Sequence, residues 1–460
     1  MRASSYIFFA DYPNGRETIL FHGIFGIVDK VEKNVADLLR SGEISEEAIE
    51  KYQVSLETLS FLASRGYLTD LSLEEEHKVF VDYTSSLHQR ALRYTQPSFS
   101  LVPSYECNLR CFYCFQSHKL HEDQRLISRA TIDLAFAAIA KFIKRNYDDP
   151  TPSAKTLIKL WGGEPLLEKN RPTIEYIAQK CRKNNYALKA ITNGTELHAY
   201  LDLLGPEGIS HVQVTLDGPR EVHNKRRTDA SLRPTFDIIA QNIAEALKRG
   251  IELDLRINVD EMNVESLPML NEYISNQGWH KFPNFTAHVA RITPSEQYND
   301  SILIDSHRVL RTLNERKDEC FLLCFPYSSI EMAVQTYFRT GTIPLRTTAY
   351  CSANLGYYIL DLFGDIYACE NEAGRRDKRI GTFHTGEFVL NGRLENDWLK
   401  RSVAYIPQCS RCPAALLCGG GCAYNAKFSS GTYFSSYCDG FKIRLAKILP
   451  WAYEKYKPRD

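Results

Sequence analysis

The sequence predicts an α/β protein centred on a partial (β/α)6 TIM-like barrel, preceded by an N-terminal α+β module and followed by a C-terminal cysteine-rich domain. Three observations carry this. Short apolar strands alternate with longer helical segments from Phe99 to about Thr293, the pattern of βα units. Three short strands and then small helices come before them and end near Asp70. Seven of the thirteen cysteines fall between Cys351 and Cys438, in a stretch rich in glycine and loops. The boundaries implied are 1–95 for the N-terminal module and its helical connector, 96–310 for the barrel, 311–350 for a bridging region and 351–460 for the cysteine-rich domain.

In the N-terminal module the strands are Tyr6 to Ala10, Thr18 to Phe21 after the turn Pro13-Asn14-Gly15, and Ile27 to Val31 after Gly26. Ser45 has the side chain of a helix N-cap, with Glu46 and Glu47 in the first turn. Leu56, Leu59 and Leu62 form a helical stripe that stops at Gly66. Residues 71–94 are charged and helical in pattern, which suits a connector. The barrel strands are read at Phe99 to Val102, Thr156 to Leu160, Ala187 to Thr192, Val212 to Leu216, Leu253 to Val259 and Phe285 to Ala290. Between them lie helices such as Ser128 to Tyr147, with Ile132, Phe136, Ile139 and Ile143 on one face, and Thr235 to Arg249, stopped by Gly250. Residues 294–350 read as mostly helical connection. The last hundred residues look too poor in periodic apolar pattern to fold without cross-links, which metal would supply.

Length and charge bound the function. A chain of 460 residues predicts two to three domains. Its net charge of zero removes the electrostatic reason to expect nucleic acid or an anionic membrane as partner. The start of the chain has only a four-residue apolar run, Ile7 to Ala10, too short for a signal peptide, and no segment approaches the roughly twenty apolar residues of a membrane helix. The expected location is therefore the cytoplasm. There the thiol pool keeps cysteines reduced, so thirteen of them point to metal or catalysis rather than disulfides.

Directly after the first barrel strand stands Cys107-Asn108-Leu109-Arg110-Cys111-Phe112-Tyr113-Cys114. Three thiolates in one loop leave a four-coordinate metal, or one iron of a 4Fe-4S cluster, with a position to fill. Chemistry in such a barrel belongs at the C-terminal ends of its strands, which is where this loop falls. The competing reading is a zinc site completed by His118 or His121.

The loop resembles the hallmark of the radical S-adenosylmethionine (SAM) superfamily, Cys-x3-Cys-x2-Cys with an aromatic residue, here Tyr113, before the last cysteine. The resemblance implies a radical SAM barrel in which an open iron chelates the methionine part of the cofactor and a reduced cluster generates a 5′-deoxyadenosyl radical. It also implies cofactor contacts at Gly162, Gly163 and Glu164 after the second strand, at Asn193 after the third, and at Thr215 and Arg227 after the fourth. Arginine suits the cofactor carboxylate because its fork binds both oxygens. Arg256 and Asn258 on the fifth strand carry a weaker expectation. An external electron donor such as flavodoxin or ferredoxin is a further implied partner.

The C-terminal cysteines run Cys351, twelve residues, Gly364, four residues, Cys369; then Cys409-x2-Cys412-x5-Cys418-x3-Cys422; then Cys438. This spacing is similar to that of the SPASM domain found on radical enzymes that act on peptides. The resemblance implies two auxiliary 4Fe-4S clusters, three clusters in all. The positions of Cys351, Cys369 and Cys422 would serve one auxiliary cluster, and those of Cys409, Cys412, Cys418 and Cys438 the other. Seven thiolates leave one place that Cys320, Cys324, a non-cysteine group or an open iron could account for. Cys181, among Ile174 and Ile177, reads as packing.

The N-terminal module resembles, by its order of elements, the RiPP recognition element, a winged-helix-like domain that binds the leader of a precursor peptide as an added strand. A DNA-binding winged helix is disfavoured, since residues 1–70 carry seven Lys and Arg against eleven Asp and Glu, a net of minus four. The function these features predict is a radical SAM peptide maturase that removes hydrogen from a precursor peptide and installs a thioether, C–C or ether cross-link. The alternative is an anaerobic sulfatase-maturating enzyme. Those relatives place an aspartate base after the position of Cys369, where this chain has Glu370, the candidate catalytic base. A zinc-bearing scaffold is the rival of another class.

Overall fold

Alternation along one strand organises the N-terminal part of the chain. In the computed structural model, which describes residues 1–116, 121–146, 155–292, 323–343 and 347–458 with 308, 309 and 312, β1 (Arg2–Ala3) is followed by a three-stranded antiparallel sheet of β2 (Ile7–Asp11), β3 (Glu17–His22) and β4 (Ile27–Glu32). Leu20 of β3 points to a core shared with Val35, Leu38 and Leu39 of the helix Lys33–Ser41 and Leu59 and Leu62 of the helix Leu56–Ser64. Ile19 and Phe21 point the other way, onto Ile330, Ala333 and Val334 of the helix Phe325–Thr340 and Leu445, Ile448 and Leu449 of the helix Phe441–Tyr456. A period of two thus buries both faces of one sheet. The β2–β3 turn closes where Gly15 adopts φ 66° and donates its N–H to Tyr12 O. Ser45 and Ser55 cap their helices by accepting from Ala48 N and Thr58 N. β5 (Leu68–Thr69) pairs back onto β1.

The chain forms two compact units. One comprises residues 1–92, 325–354 and 400–460, and the other 93–324 and 355–399. The second unit holds one sheet. In chain order its strands are β6 (Ser98–Val102), β7 (Leu157–Leu160), β8 (Ala187–Thr192), β9 (Ile209–Thr215), β10 (Glu252–Val259), β11 (Phe285–Arg291) and β12 (Leu323–Cys324), followed by β13 (Tyr357–Asp361), β14 (Asp365–Tyr367), β15 (Gly381–Thr382) and β16 (Val389–Leu390). β6 to β12 lie side by side in sequence order, each parallel to the next. On the far side of β6, β13 adds a further parallel strand, with Ile359 opposite Ser100, and β14 to β16 continue antiparallel.

The six strands expected from the sequence are present, with shifted ends. β9 begins at Ile209 rather than Val212, because a bulge opposite Leu188 and Lys189 puts Ser210 and His211 both part-exposed and breaks the alternation that marks a strand start. The helix expected at Ser128 to Tyr147 is Arg129–Asn146, and Phe236–Lys248 replaces Thr235 to Arg249. Of the expected connection 294–350, Phe325–Thr340 is a helix, while residues 293–307, 310–311, 313–322 and 344–346 lie outside the described residues, Cys320 among them.

One expectation is corrected. The last hundred residues do carry periodic apolar pattern: Phe441, Leu445, Ile448, Leu449 and Ala452 are buried along one helix. Lysines and arginines between the apolar positions of that helix masked its stripe. Leu445 has no exposed surface, and Leu445→Ala should therefore destabilise the first unit by about 2–5 kcal/mol in chemical denaturation, with the spread set by how far the cavity collapses.

Candidate active site

The loop after β6 is built by backbone pairing. Arg110 N donates to Thr228 O (2.9 Å), Ala230 N to Asn108 O (3.0 Å) and Phe112 N to Arg226 O (3.4 Å), so the segment leaving the helix Arg220–Arg226 runs beside the cysteine loop. That pairing sets Cys111 and Tyr113 against Arg227. On the opposite flank Asn193 Nδ2 donates to Asn108 Oδ1 (2.8 Å) and lies 4.0 Å from Cys107 Sγ. His121 Nε2 is 3.6 Å from Cys114 Sγ, while His118 lies outside the described residues. Among the described residues no three His, Cys, Asp or Glu side chains converge as a ready-made single-ion site.

Burial dominates the chemistry of these thiols. It pushes Cys107 above the usual thiol range, with the charge of Cys111 adding to it, pushes Cys114 up to about 12, and raises Cys111. Three thiolates crowded into one largely desolvated loop are unstable without positive charge beside them, which is what the irons of a cluster would supply.

The glycine pair after β7 has a sterically defined purpose. A Cβ on Gly162 would sit 2.4 Å from Ser104 O, and one on Gly163 would sit 2.1 Å from Glu106 O and 2.3 Å from Tyr105 O. Gly163 N donates to Ser104 O (3.1 Å) and Glu164 N to Glu106 O (2.7 Å). The pair thus lets β7's loop bond the backbone that carries the cysteines, and both glycines also line the pocket. Glu164 does not line it. Its carboxylate accepts from Asn193 N (2.5 Å), Thr192 Oγ1 (2.7 Å) and Leu166 N (2.8 Å), tying the ends of β7 and β8 together, and burial raises its pKa to about 7 against those bonds.

At the end of β9, Thr215 is buried and faces the pocket. The Tyr113 hydroxyl donates to Asp217 Oδ2 and accepts from Arg227 Nη1 (2.6 Å) and Asn258 Nδ2 (3.1 Å). Asp217 Oδ1 accepts in turn from Asn258 N (3.0 Å). Arg227 is buried, and its Nε has no partner among the described residues although it borders a cavity. Across the pocket, Glu370 Oε1 accepts from Lys159 Nζ (2.6 Å) and the Tyr357 hydroxyl (2.8 Å). Burial would raise the Glu370 pKa, but Lys159, Tyr357 and Arg256 outweigh it and hold the carboxyl below the usual range.

The cavity bounded by these groups, about 190 Å³ and partly open to solvent, has the three cysteines, Gly162, Gly163, Asn193, Thr215, Arg227, Arg256 and Glu370 on its walls. This donor set fits a cluster with a chelating amino acid cofactor: three thiols leave one iron open, and Arg227 carries an unused N–H toward a carboxylate. A parallel barrel with such a loop at the C-terminal end of its first strand defines a metal-cluster enzyme. Residues 101–274 match the sequence profile of the Radical SAM superfamily. They form a radical SAM domain, which makes the chain an enzyme and implies S-adenosylmethionine and a 4Fe-4S cluster as its cofactors.

Other comparisons extend beyond that domain. The chain is 23% identical over 360 residues, 75% of its length and 93% of the relative's, to a cysteine-type anaerobic sulfatase-maturating enzyme of Clostridium novyi. It is 30% identical over 173 residues, 37% of this chain and 50% of the relative, to a probable GTP 3′,8-cyclase of Methanococcus maripaludis. Native anSMEcpe with bound AdoMet superposes with a TM-score of 0.59 at 17% identity, covering 78% of this chain and 99% of that one. Streptococcus suis SuiB bound to precursor peptide SuiA gives 0.51 at 15%, covering 95% and 98%. These superpositions show a shared fold.

The C-terminal cysteines divide between the units. Cys369 belongs with Glu370 to the barrel unit, and Cys351, Cys409, Cys412, Cys418, Cys422 and Cys438 to the other. Within the latter, burial pushes Cys409 up to about 12 and Cys418 up to about 11, each reinforced by the charges of Cys412 and Cys438, so these four lie together. Burial also raises Cys422, which feels the charge of Cys351. Gly419, Gly420 and Gly421 all take positive φ, and a Cβ on Gly419 would meet the Ala349–Tyr350 peptide at 2.6 Å and one on Gly421 the Tyr437 O at 1.9 Å. The three glycines thus seat the segments bearing Cys351 and Cys438 beside Cys418 and Cys422. Cys181 packs in the core of its helix.

Sequence reasoning passed over Asp217, Lys159 and Tyr357. The signal for Asp217 was its place between Leu216 and Gly218 at a strand end, whereas Lys159 and Tyr357 sit inside strands and carry no local mark. Gly163→Ala must displace the backbone of Tyr105 and Glu106, so it should cost about 1–3 kcal/mol of stability and lower the iron content of the anaerobically reconstituted protein, checked by denaturation with iron and sulfide assay.

Proposed function

We propose that the chain is a radical SAM peptide maturase with two auxiliary clusters, which takes a leader on its N-terminal module, residues 1–95, and installs a cross-link in the core of the same peptide. The observation that carries this reading is the breadth of the fold likeness to SuiB, 95% of the chain, which includes the N-terminal module. The free edges of β2 and β4 would offer backbone groups to a leader strand. The barrel residues 96–310, the bridge 311–350 and the cysteine-rich residues 351–460 keep the roles expected from sequence, with an external flavodoxin or ferredoxin as electron donor.

When bound, the reduced cluster and S-adenosylmethionine supply the hydrogen-abstracting radical, and the auxiliary clusters supply an electron acceptor. Gly162, Gly163, Asn193, Thr215 and Arg227 hold and orient the cofactor. Forming one cross-link removes two hydrogens from the peptide: one goes to the radical, the other leaves as a proton and an electron. Glu370 would take that proton, and the bonds from Lys159 and Tyr357 to its carboxylate support this reading.

Coexpression with a small peptide encoded beside the gene, followed by mass spectrometry, tests the reading. A product lacking two hydrogens and absent with Cys107→Ala is expected; an unmodified peptide in both cultures counts against it. The relatedness to the Clostridium enzyme favours a second reading, formylglycine formation. Exchange of a peptide cysteine's sulfur for oxygen together with loss of two hydrogens would select it.

Glu370 also sets a pH dependence. Its lowered pKa keeps it ionised, so activity should fall only as pH drops below the ordinary glutamate range. Lys159→Met removes the chief ionic partner and should move that acid limb to higher pH. Glu370→Gln should lower product formation about 10²–10⁴-fold and abolish the limb, followed as product against 5′-deoxyadenosine across pH.

A further inference from the structure

Arg401 is a buried cation without a counter-ion. Its side chain has no exposed surface, and none of the ion pairs among the described residues includes it. Nε donates to Tyr433 O (2.5 Å), and Nη2 to Gly420 O (3.1 Å) and Ser435 O (3.1 Å). All three acceptors are neutral carbonyls. Nη1, with two further N–H groups, is buried with no partner.

An isolated charge in such a place is strongly destabilising unless a negative group completes it. The surroundings indicate where that group belongs. A Cβ built on Gly420 would lie 3.8 Å from Arg401 Nη1 and 3.6 Å from Cys409 Sγ, so the space kept clear by this glycine separates the free N–H groups from a cysteine sulfur. Burial pulls the guanidinium toward neutrality, and the charges of Cys422, Cys409, Cys418 and Cys351 oppose it. The geometry thus sets Arg401 Nη1 toward Cys409.

We infer that Arg401 is a positioning residue for the auxiliary iron-sulfur centre of Cys409, Cys412, Cys418 and Cys438: its guanidinium supplies the positive charge that the thiolate-bound cluster lacks, donates through Nη1 toward its sulfur, and raises its reduction potential. The inference rests on the two-auxiliary-cluster reading above. Reduction adds one electron, supplied by the titrant dithionite, and no bond forms or breaks. The added negative charge interacts more favourably with a fixed cation than the oxidised cluster does, so the reduced form gains. An arginine keeps its charge in this setting where a lysine would be more prone to lose it, although lysine preserves the sign.

The test uses the full chain with Cys107, Cys111 and Cys114 replaced by alanine, so that only auxiliary signals remain, in Arg401, Arg401→Lys and Arg401→Gln forms. Iron and sulfide are counted, and midpoints are read by electron paramagnetic resonance in an anaerobic dithionite titration. Expected is equal iron in all three, with the reduced-to-oxidised ratio at fixed potential falling at least tenfold in Arg401→Gln, about 59 mV for one electron, and staying near the Arg401 value in Arg401→Lys. Equal midpoints at full iron overturn the inference. Where Arg401→Gln loses iron, Arg401→Lys decides: full iron with an unchanged midpoint supports the charge, and loss of iron or a displaced midpoint there overturns it. Absence of iron from the Arg401 form would instead overturn the auxiliary-cluster reading itself.

Discussion

Three thiols on one short loop, Cys111 buried and Cys107 and Cys114 half-buried, are the constraint from which the barrel's active end follows. Thiols in that environment resist ionisation, so repulsion between thiolates cannot shape the loop before a cluster arrives, and the loop's form must come from backbone bonding. It does, through Arg110, Phe112 and Asn108 on the segment of residues 226–230 and through Ser104 and Glu106 on Gly163 and Glu164. The glycine pair is a consequence: only residues without Cβ allow β7's loop to approach so closely. A loop fixed in this way loses little further freedom on taking up a ligand.

The same loop explains why two adjacent arginines have unlike surroundings. Arg226 closes the helix Arg220–Arg226 and is held bidentately by Asp260, with its guanidinium over the rings of Phe112 and Tyr113. Arg227, one residue later, has left helical conformation at φ −134° and ψ 77°, and its side chain turns to the cavity. Asp217 links the two, accepting from Tyr113 and lying 3.6 Å from Arg226 Nε. Arg226 therefore stiffens the aromatic pair from behind while Arg227 remains available in front.

Legibility followed the range of the interaction. Strands β6 to β11 were visible because alternation and β-branched runs are local, and the cysteine loop because its spacing is local too. Glu164 illustrates a limit: a motif gave its position at the pocket, but whether a carboxylate faces a ligand or a neighbouring backbone is decided by residues far along the chain, here Thr192 and Asn193. Glu370 was noticed for its place after Cys369, yet its partner Lys159 lies on β7 and its partner Tyr357 on a strand that joins β6 from beyond a long connection. Arg401 belongs to no motif. What distinguishes it is an incomplete set of partners, and only coordinates can show that.

The sheet of β2, β3 and β4 is not a separable appendage. Because both its faces are buried, one against its own helices and the other against the helices Phe325–Thr340 and Phe441–Tyr456, cutting the chain after the module would expose Ile19, Phe21 and Val28 to water. Its loops also touch the cysteine-bearing segment directly. The Tyr6 hydroxyl donates to Ser410 O (2.6 Å), Gly23 approaches Pro413 so closely that a Cβ there would sit 2.1 Å from its carbonyl oxygen, and Tyr6 shares a core with Cys409. Displacing this sheet would therefore disturb the core against which Cys409 and Cys412 pack. The sheet and the segment carrying those two cysteines are, in physical terms, parts of one packed unit.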